Sequence, residues 1–106
     1  MARVIDISEI VGTFGWDGAT AEVCATATAG FEDEAGVLEI KLDSFVRPVD
    51  LRVHETHETA PWLPRTQTIT EHVSREEAGP VAREVFHRWV AKVRGAIPSE
   101  LQPHFQ

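Results

Sequence analysis

The chain has 106 residues with 10 basic and 17 acidic side chains, which gives a formal net charge of −7 at pH 7. This length suits one domain, residues 1–106, and a hydrophobic fraction of 42% spread along the chain argues against disorder. Proteins that bind nucleic acid gain most of their affinity from Lys and Arg on phosphates, so the acidic balance argues against nucleic-acid partners and anionic membranes.

Three further features limit the class of protein. Cys24 is the single cysteine, so no disulfide can form within the chain. No apolar run approaches the roughly 18 residues that span a bilayer, and residues 1–6 lack the apolar region of a signal peptide. We therefore expect a soluble protein with no membrane partner and a cytoplasmic location, although a mature secreted domain without cysteine pairs would share these features.

The chain opens with residues 3–7, in which Ile5 and Ile7 alternate with polar side chains. This alternation predicts a short strand, which could extend through residues 10–11. Three glycines follow within residues 12–18, and Asp17-Gly18 predicts a hairpin because glycine accepts the positive φ of a tight turn. Neither a lysine nor a helix follows, so we assign these glycines to turn geometry and not to a phosphate loop.

Residues 19–29 predict a strand, because β-branched threonines recur and the pattern has a period of two. One face holds an alanine row and the other is polar: Val23, Ala25, Ala27 and Ala29 against Glu22, Cys24, Thr26 and Thr28. An alanine face is shallow and leaves room for a bulky side chain, so we expect Trp89 or Phe86 to lie over it. The alternative is a coding bias toward alanine.

Residues 32–36 predict an acidic, solvated turn, with a cation site as the alternative. Residues 37–46 predict a strand that points Leu38, Ile40 and Leu42 inward. Pro48 then marks either a bulge in one bent strand that continues to Val53 or a turn between two strands. We favour the bent strand, because Arg47-Pro48 lacks the glycine or asparagine of a two-residue hairpin.

Residues 58–65 predict a loop, and residues 66–73 predict the last strand, with Ile69 and Val73 on one side. Antiparallel pairing with the preceding strand about a centre near Pro61 would place His72 opposite Asp50.

Residues 74–97 carry the sustained helical period of the chain, with an apolar stripe on one side: Val81, Val85, Phe86, Trp89, Val90 and Val93. Ser74 and Glu77 predict a capping box at the start of this helix. Pro80 would fall at the sixth helical position, so we expect a separate first turn and a long helix that begins near Pro80. Gly95 and Pro98 predict its end.

The order of these elements predicts an α+β fold: an antiparallel β-meander of about four to five strands with one long C-terminal helix packed on one face. Such a helix covers one face of the sheet and leaves the other face available for binding.

The densest group of potential metal ligands is His54, Glu55 and His57. Imidazoles and carboxylates bind Zn²⁺ and similar ions. The second histidine arrives one residue too early for the His-Glu-x-x-His motif, and on a strand the two rings would point to opposite faces. A metal site would need a bend in the chain and further ligands, for which His72 is a candidate.

The candidate binding residues are Trp16, Phe45, Trp62 and Leu63. Tryptophans on connecting segments are enriched at protein interfaces, although Trp62 could instead fold back onto the end of the core. Phe45 falls on the sheet face that the helix leaves uncovered.

No catalytic residue is predicted. Cys24 lies beside Glu22 on a polar strand face, where a carboxylate would raise the pKa of the thiol, so an inert thiol is expected. We therefore favour a non-enzymatic binding or assembly domain that self-associates as a homodimer. Its ligand could be a small molecule or another protein, and its cofactor is unknown. The alternatives are a metal-binding protein or metal-dependent enzyme and, last, a single-strand nucleic-acid binder, which lacks a basic groove.

Overall fold

The computed structural model describes residues 2–16, 19–49 and 60–99. They form four strands and one helix: β1 (Ala2–Trp16), β2 (Ala19–Glu32), β3 (Val37–Pro48), β4 (Gln67–His72) and α1 (Arg75–Ala96). The strands pair antiparallel in the order β1-β2-β3-β4, and α1 packs on one face against β1, β2 and β3. The predicted α+β fold, an antiparallel sheet with one long C-terminal helix, is confirmed.

The first hairpin is longer than the sequence predicts. Trp16 at the end of β1 pairs with Ala19 at the start of β2, and the Asp17-Gly18 prediction falls outside the described residues. Gly12 and Gly15, which we expected in a turn, are part of β1. The pairing with β2 shifts register between Ile10 and Gly12 and again between Arg3 and Ile5. Glycine in a strand often marks such a bulge, because it adapts to the local change in backbone direction.

The predicted alternation of β2 and β3 is confirmed. The core-facing side chains are buried on both strands: Ala21, Val23, Ala25, Ala27, Ala29 and Phe31 of β2, and Leu38, Ile40, Leu42 and Val46 of β3. Gly36 ends the acidic turn between these strands with φ 63°, a left-handed conformation that glycine adopts without strain. Val49 still donates its N–H to the Thr20 carbonyl (2.9 Å), and the choice between a bent strand and a turn lies in residues 50–53, outside the described residues.

The predicted register of the last strand is wrong. His72 pairs with Val37 at the beginning of β3, not with Asp50. Ile69 pairs with Ile40, which is fully buried, so this register places an isoleucine of β4 beside the centre of the core. The prediction assumed a compact loop near Pro61, whereas β4 pairs with the first half of β3.

Pro80 does not divide the helix, contrary to the expectation that the long helix begins near it. A proline disfavours the helical conformation of the preceding residue mainly through contacts with its Cβ, and Gly79 has no Cβ. Pro80 has no N–H to donate to the Glu76 carbonyl, and both residues are on the exposed side of the helix. Burial of Ala78 on the core side also holds this turn in place.

Both helix ends follow the sequence signals, with one adjustment. The predicted capping box forms: the Ser74 backbone N–H and hydroxyl both donate to the Glu77 carboxylate, at 3.2 and 2.8 Å. The helix continues through Gly95 to Ala96. Ile97 is extended (φ −63°, ψ 124°), as the steric restriction before Pro98 requires.

Trp89 is buried in the core cluster together with Phe86 and the alanines of β2. Its indole N–H donates to the carbonyl of Asp43 on β3 (2.8 Å). The predicted helix stripe is thus on the core side, and the indole is fixed to the third strand by this bond. Direct contact of the indole with the alanine face stays a prediction.

Candidate binding surface

The predicted binding residues fall in different places. Phe45 lies on the sheet face opposite α1, half-buried and paired across strands with Cys24. Trp62 and Leu63 are half-buried and pack against the core, in a turn where the Leu63 N–H donates to the Ala60 carbonyl (3.0 Å). This packing favours the alternative in which Trp62 folds back onto the core.

The remaining predicted site residues are Trp16 and the three candidate metal ligands. Trp16 is the last residue of β1. His54, Glu55 and His57 lie outside the described residues, so the metal site stays a prediction. Within 2–16, 19–49 and 60–99, no three His, Cys, Asp or Glu side chains are grouped closely enough to hold a metal ion.

We call the sheet surface opposite α1 the open face. Its central members are the outward side chains of three strands: Asp6, Ser8 and Ile10 of β1; Cys24, Thr26 and Thr28 of β2; and Lys41, Asp43 and Phe45 of β3. They align in three cross-strand rows: Ile10–Cys24–Phe45, Ser8–Thr26–Asp43 and Asp6–Thr28–Lys41. The rows beyond them hold Glu22 with Arg47 at one end and Arg3 with Glu39 at the other. No helix or strand of the described residues packs on this face.

One row of the open face, between the Ser8–Thr26–Asp43 row and the Arg47–Glu22 ion pair, is apolar. Ile10 is 52% exposed and Val49 is 41% exposed, and they are the exposed large hydrophobic residues of the described part of the chain. Phe45 is half-buried in the same row as Ile10, with Cys24 between them. A single exposed isoleucine is ordinary on a protein surface, but Ile10 and Phe45 share one row, and the two together are a candidate contact for a partner.

Cys24 is fully buried in the middle of this row. Burial raises the pKa of its thiol, the Arg47 guanidinium lowers it, and the Glu22 carboxylate raises it again, with a net shift upward. Arg47 and Glu22 form an ion pair with each other in the neighbouring row. The thiol is therefore held neutral and is not an activated nucleophile. The sequence predicts the effect of Glu22 but not the larger effect of burial.

The charged end of the open face is the one that holds Asp6 and Lys41. Asp6 and Lys41 are exposed on either side of Thr28. Arg3 donates to the Asp6 carboxylate (3.2 Å). Beyond this row Gly30 has no side chain, and a cleft of about 180 Å³ lies beside it, with Arg3, Lys41 and Glu39 in its lining.

A second cleft, of about 250 Å³, lies between β3 and residues 60–66. The Asp43 carboxylate lines it and accepts from the Ser44 backbone N–H (2.8 Å) and from the Thr66 hydroxyl (2.9 Å). The Ser44 hydroxyl is buried without a hydrogen-bond partner in the described part of the chain. An activated serine donates its hydroxyl to a base, and the Ser44 hydroxyl makes no such bond to the neighbouring Asp43 carboxylate.

The third cavity is a groove of about 180 Å³ between β4 and α1. Leu42, Ile69, Val85 and Trp89 form its apolar wall, and Lys92 lies on its rim with Nζ 5.7 Å from the centroid of the Trp89 ring. The sequence misses this groove, because it depends on the register of β4.

Comparison with models of known protein families, with curated proteins and with solved structures finds no match to this chain. Within the described ranges, no helix combines the length and the apolar character needed to cross a membrane. The chemistry of the described surfaces is therefore the basis for a functional assignment.

Proposed function

We propose that this chain is a non-enzymatic binding domain that assembles as a homodimer through its open face. The observation that carries the proposal is the 52% exposure of Ile10 in the apolar row of a sheet face that no described element covers. Antiparallel sheets with one solvated face normally alternate apolar residues toward the core with polar residues toward water. Ile10 and Phe45 depart from this pattern in the same row, and such a row supports a surface that loses water on association.

Ile10 supplies part of the free energy of association, and the other rows must supply the rest of the roughly 4–15 kcal/mol that two chains lose in translational and rotational freedom. Burial of the exposed half of an isoleucine stabilises an interface by about 1 kcal/mol, and a symmetric dimer buries two copies. Phe45 adds apolar surface in the same row, whereas Val49 lies beyond the Arg47–Glu22 ion pair and is not continuous with it. A shared patch of this kind suits a self-complementary contact.

The polar groups of the described residues support binding more than catalysis. The Cys24 thiol is buried with a raised pKa. The Asp43 carboxylate is occupied by Ser44 and Thr66, and the Glu22 carboxylate is occupied by Arg47. These groups stabilise the sheet and its adjacent loop in arrangements that leave little for proton transfer to a substrate.

Sedimentation velocity over a micromolar concentration series tests the proposal. We expect the wild type to sediment as a dimer and Ile10→Glu to sediment as a monomer, because the substitution places a carboxylate in the apolar row. Ala91→Glu is the matched control: it adds the same charge on an exposed position of α1, and it should remain a dimer. A wild type that stays monomeric throughout the series would contradict the proposal.

A further inference from the structure

We propose that the two copies stack open face to open face about a two-fold axis parallel to β2, so that β1 of each copy faces β3 of the other. This inference rests on the proposed function, because it specifies the arrangement of that dimer. A rotation about this axis exchanges the positions of β1 and β3 and keeps each cross-strand row at the same level. Sheets that pack with aligned strands, within about 30°, form the usual β-sandwich contact.

In this arrangement the apolar and polar rows are matched. Ile10 meets the partner's Phe45, so the exposed isoleucine packs on the half-buried ring at the other end of its own row. Ser8 meets the partner's Asp43, which places a hydroxyl donor opposite a carboxylate. Each contact occurs twice, because a two-fold interface is isologous.

The charged rows are also matched. Asp6 meets the partner's Lys41, and Arg3 meets the partner's Glu39. All four belong to the two rows at the charged end, and each pairing brings opposite charges together. Complementary charge of this kind sets the register of an interface and disfavours other arrangements.

Residues of β2 lie on the two-fold axis, so each of them faces the same residue of the other copy. Thr26 and Thr28 of β2 lie on it, and both are small and uncharged; Cys24 lies on the same line but is fully buried within its own chain. Glu22, the next residue of β2 on this face, is already paired with Arg47 of its own chain. A symmetric contact along β2 therefore avoids unpaired like charges at its centre.

The alternative two-fold axis, perpendicular to the strands through the row of Thr26, gives a poorer match. It would place Ile10 against the partner's Asp6 and Lys41 against the partner's Phe45. The exposed apolar side chain would then face a carboxylate and lose the gain from its burial. The axis along β2 is the arrangement that the side-chain pattern favours.

Charge reversal followed by sedimentation equilibrium tests the arrangement. Asp6→Lys places like charges opposite each other at two symmetric contacts, and we expect the dimer to weaken by about tenfold or more. Lys41→Glu does not alter the Arg3–Asp6 ion pair and should give a similar loss. The double variant Asp6→Lys/Lys41→Glu restores opposite charges at both contacts and should return to within about threefold of the wild type.

The matched control is Asp6→Lys/Lys92→Glu, which has the same net charge as the restoring variant but changes a lysine on α1. It should remain as weak as Asp6→Lys alone, and thermal unfolding by circular dichroism should show that all variants are folded. Equal recovery in the two double variants, or no loss in either single variant, would overturn the arrangement while leaving the homodimer in place. A monomeric wild type would instead overturn the proposed function itself.

Discussion

The two faces of the sheet are formed by the same strands but depend on different partners. Adjacent residues such as Ala27 and Thr28, or Ile40 and Lys41, point to opposite sides, and in both pairs the side chain under α1 is buried while its neighbour is exposed. On the helix side the partner is part of the chain, and burial stabilises the fold. On the open face the exposed isoleucine has no such cover among the described elements, so its burial depends on association.

This difference means that the same substitution should have unlike effects on the two faces. A side chain that packs against α1 contributes to the free energy of unfolding of one chain. A side chain on the open face contributes mainly to the free energy of association.

The comparison of Ile40 with Ile10 tests the contrast most directly. Ile40 is 0% exposed, so Ile40→Ala should lower the free energy of unfolding by about 2–5 kcal/mol through lost burial and a cavity. Ile10→Ala removes the same atoms from a half-exposed site and should cost less than about 1 kcal/mol. Urea denaturation at a concentration where the chain is monomeric measures both. Similar losses at the two positions would contradict the distinction between the faces.

The alanine row tests how tightly α1 packs. Ala27 is buried, so Ala27→Leu adds volume under the helix and should destabilise the fold by about 1–3 kcal/mol. Thr28→Leu, one residue later on the open face, should change stability by no more than about 0.5 kcal/mol. Both changes are best measured in the Ile10→Glu background, so that association does not contribute. A tolerated Ala27→Leu would show that the space above the alanines is not filled.

The smallest expected effect is at the exposed ion pair between Arg75 of α1 and Asp33 of the turn between β2 and β3. The Arg75 guanidinium donates to the Asp33 carboxylate and holds the pKa of that group below its usual value of about 3.9. A lowered folded-state pKa contributes stability above the unfolded pKa, and this contribution is lost as pH falls through the folded value. Wild-type stability should therefore fall on acidification below about pH 5 more steeply than that of Asp33→Asn.

Arg75→Gln provides the control for this pH effect, because it removes the donor and leaves the carboxylate. Its unfolding free energy should show the same shallower decline in acid, and the double variant should show no further change. A pH profile of Asp33→Asn that matches the wild type would contradict the role of this ion pair. Glu77, whose pKa is lowered by the Ser74 hydroxyl and backbone N–H, contributes in the same direction in every variant.

The parts of the fold that depend on local patterns could be predicted from the sequence. The alternation of β3 and the apolar stripe of α1 follow from side-chain periodicity, and Ser74 with Glu77 identifies the helix start through a bond three residues apart. The open position of Phe45 also follows, because it is fixed by its parity with the buried residues of β3.

The features that depend on tertiary contacts could not be predicted. Pro80 is accommodated because Gly79 precedes it and because Ala78 is buried on the core side of the same turn. The pairing of His72 with Val37 joins strands across a long connection, for which neither periodicity nor turn residues carry a signal.

The candidate surface also combines features that local sequence patterns predict with features that depend on tertiary contacts. The polarity of each strand indicates which side chains share the open face, but the exposure of Ile10 and the burial of Cys24 depend on how β1 and β3 flank β2. The bond from Trp89 to the Asp43 carbonyl joins residues far apart in sequence. Sequence patterns therefore identify the face, and the packed structure identifies the residues on it that can make contact.

The two register shifts of β1 have a consequence for the behaviour of the protein at high concentration. β1 is an outer strand of 15 residues, a length at which a flat backbone edge invites edge-to-edge aggregation. The shifts limit its longest regular stretch to Ile5–Ile10, and this stretch carries the charges of Asp6 and Glu9. The bulges make the edge of β1 a poor partner for another strand. We therefore expect association through the open face of the sheet and not through this edge.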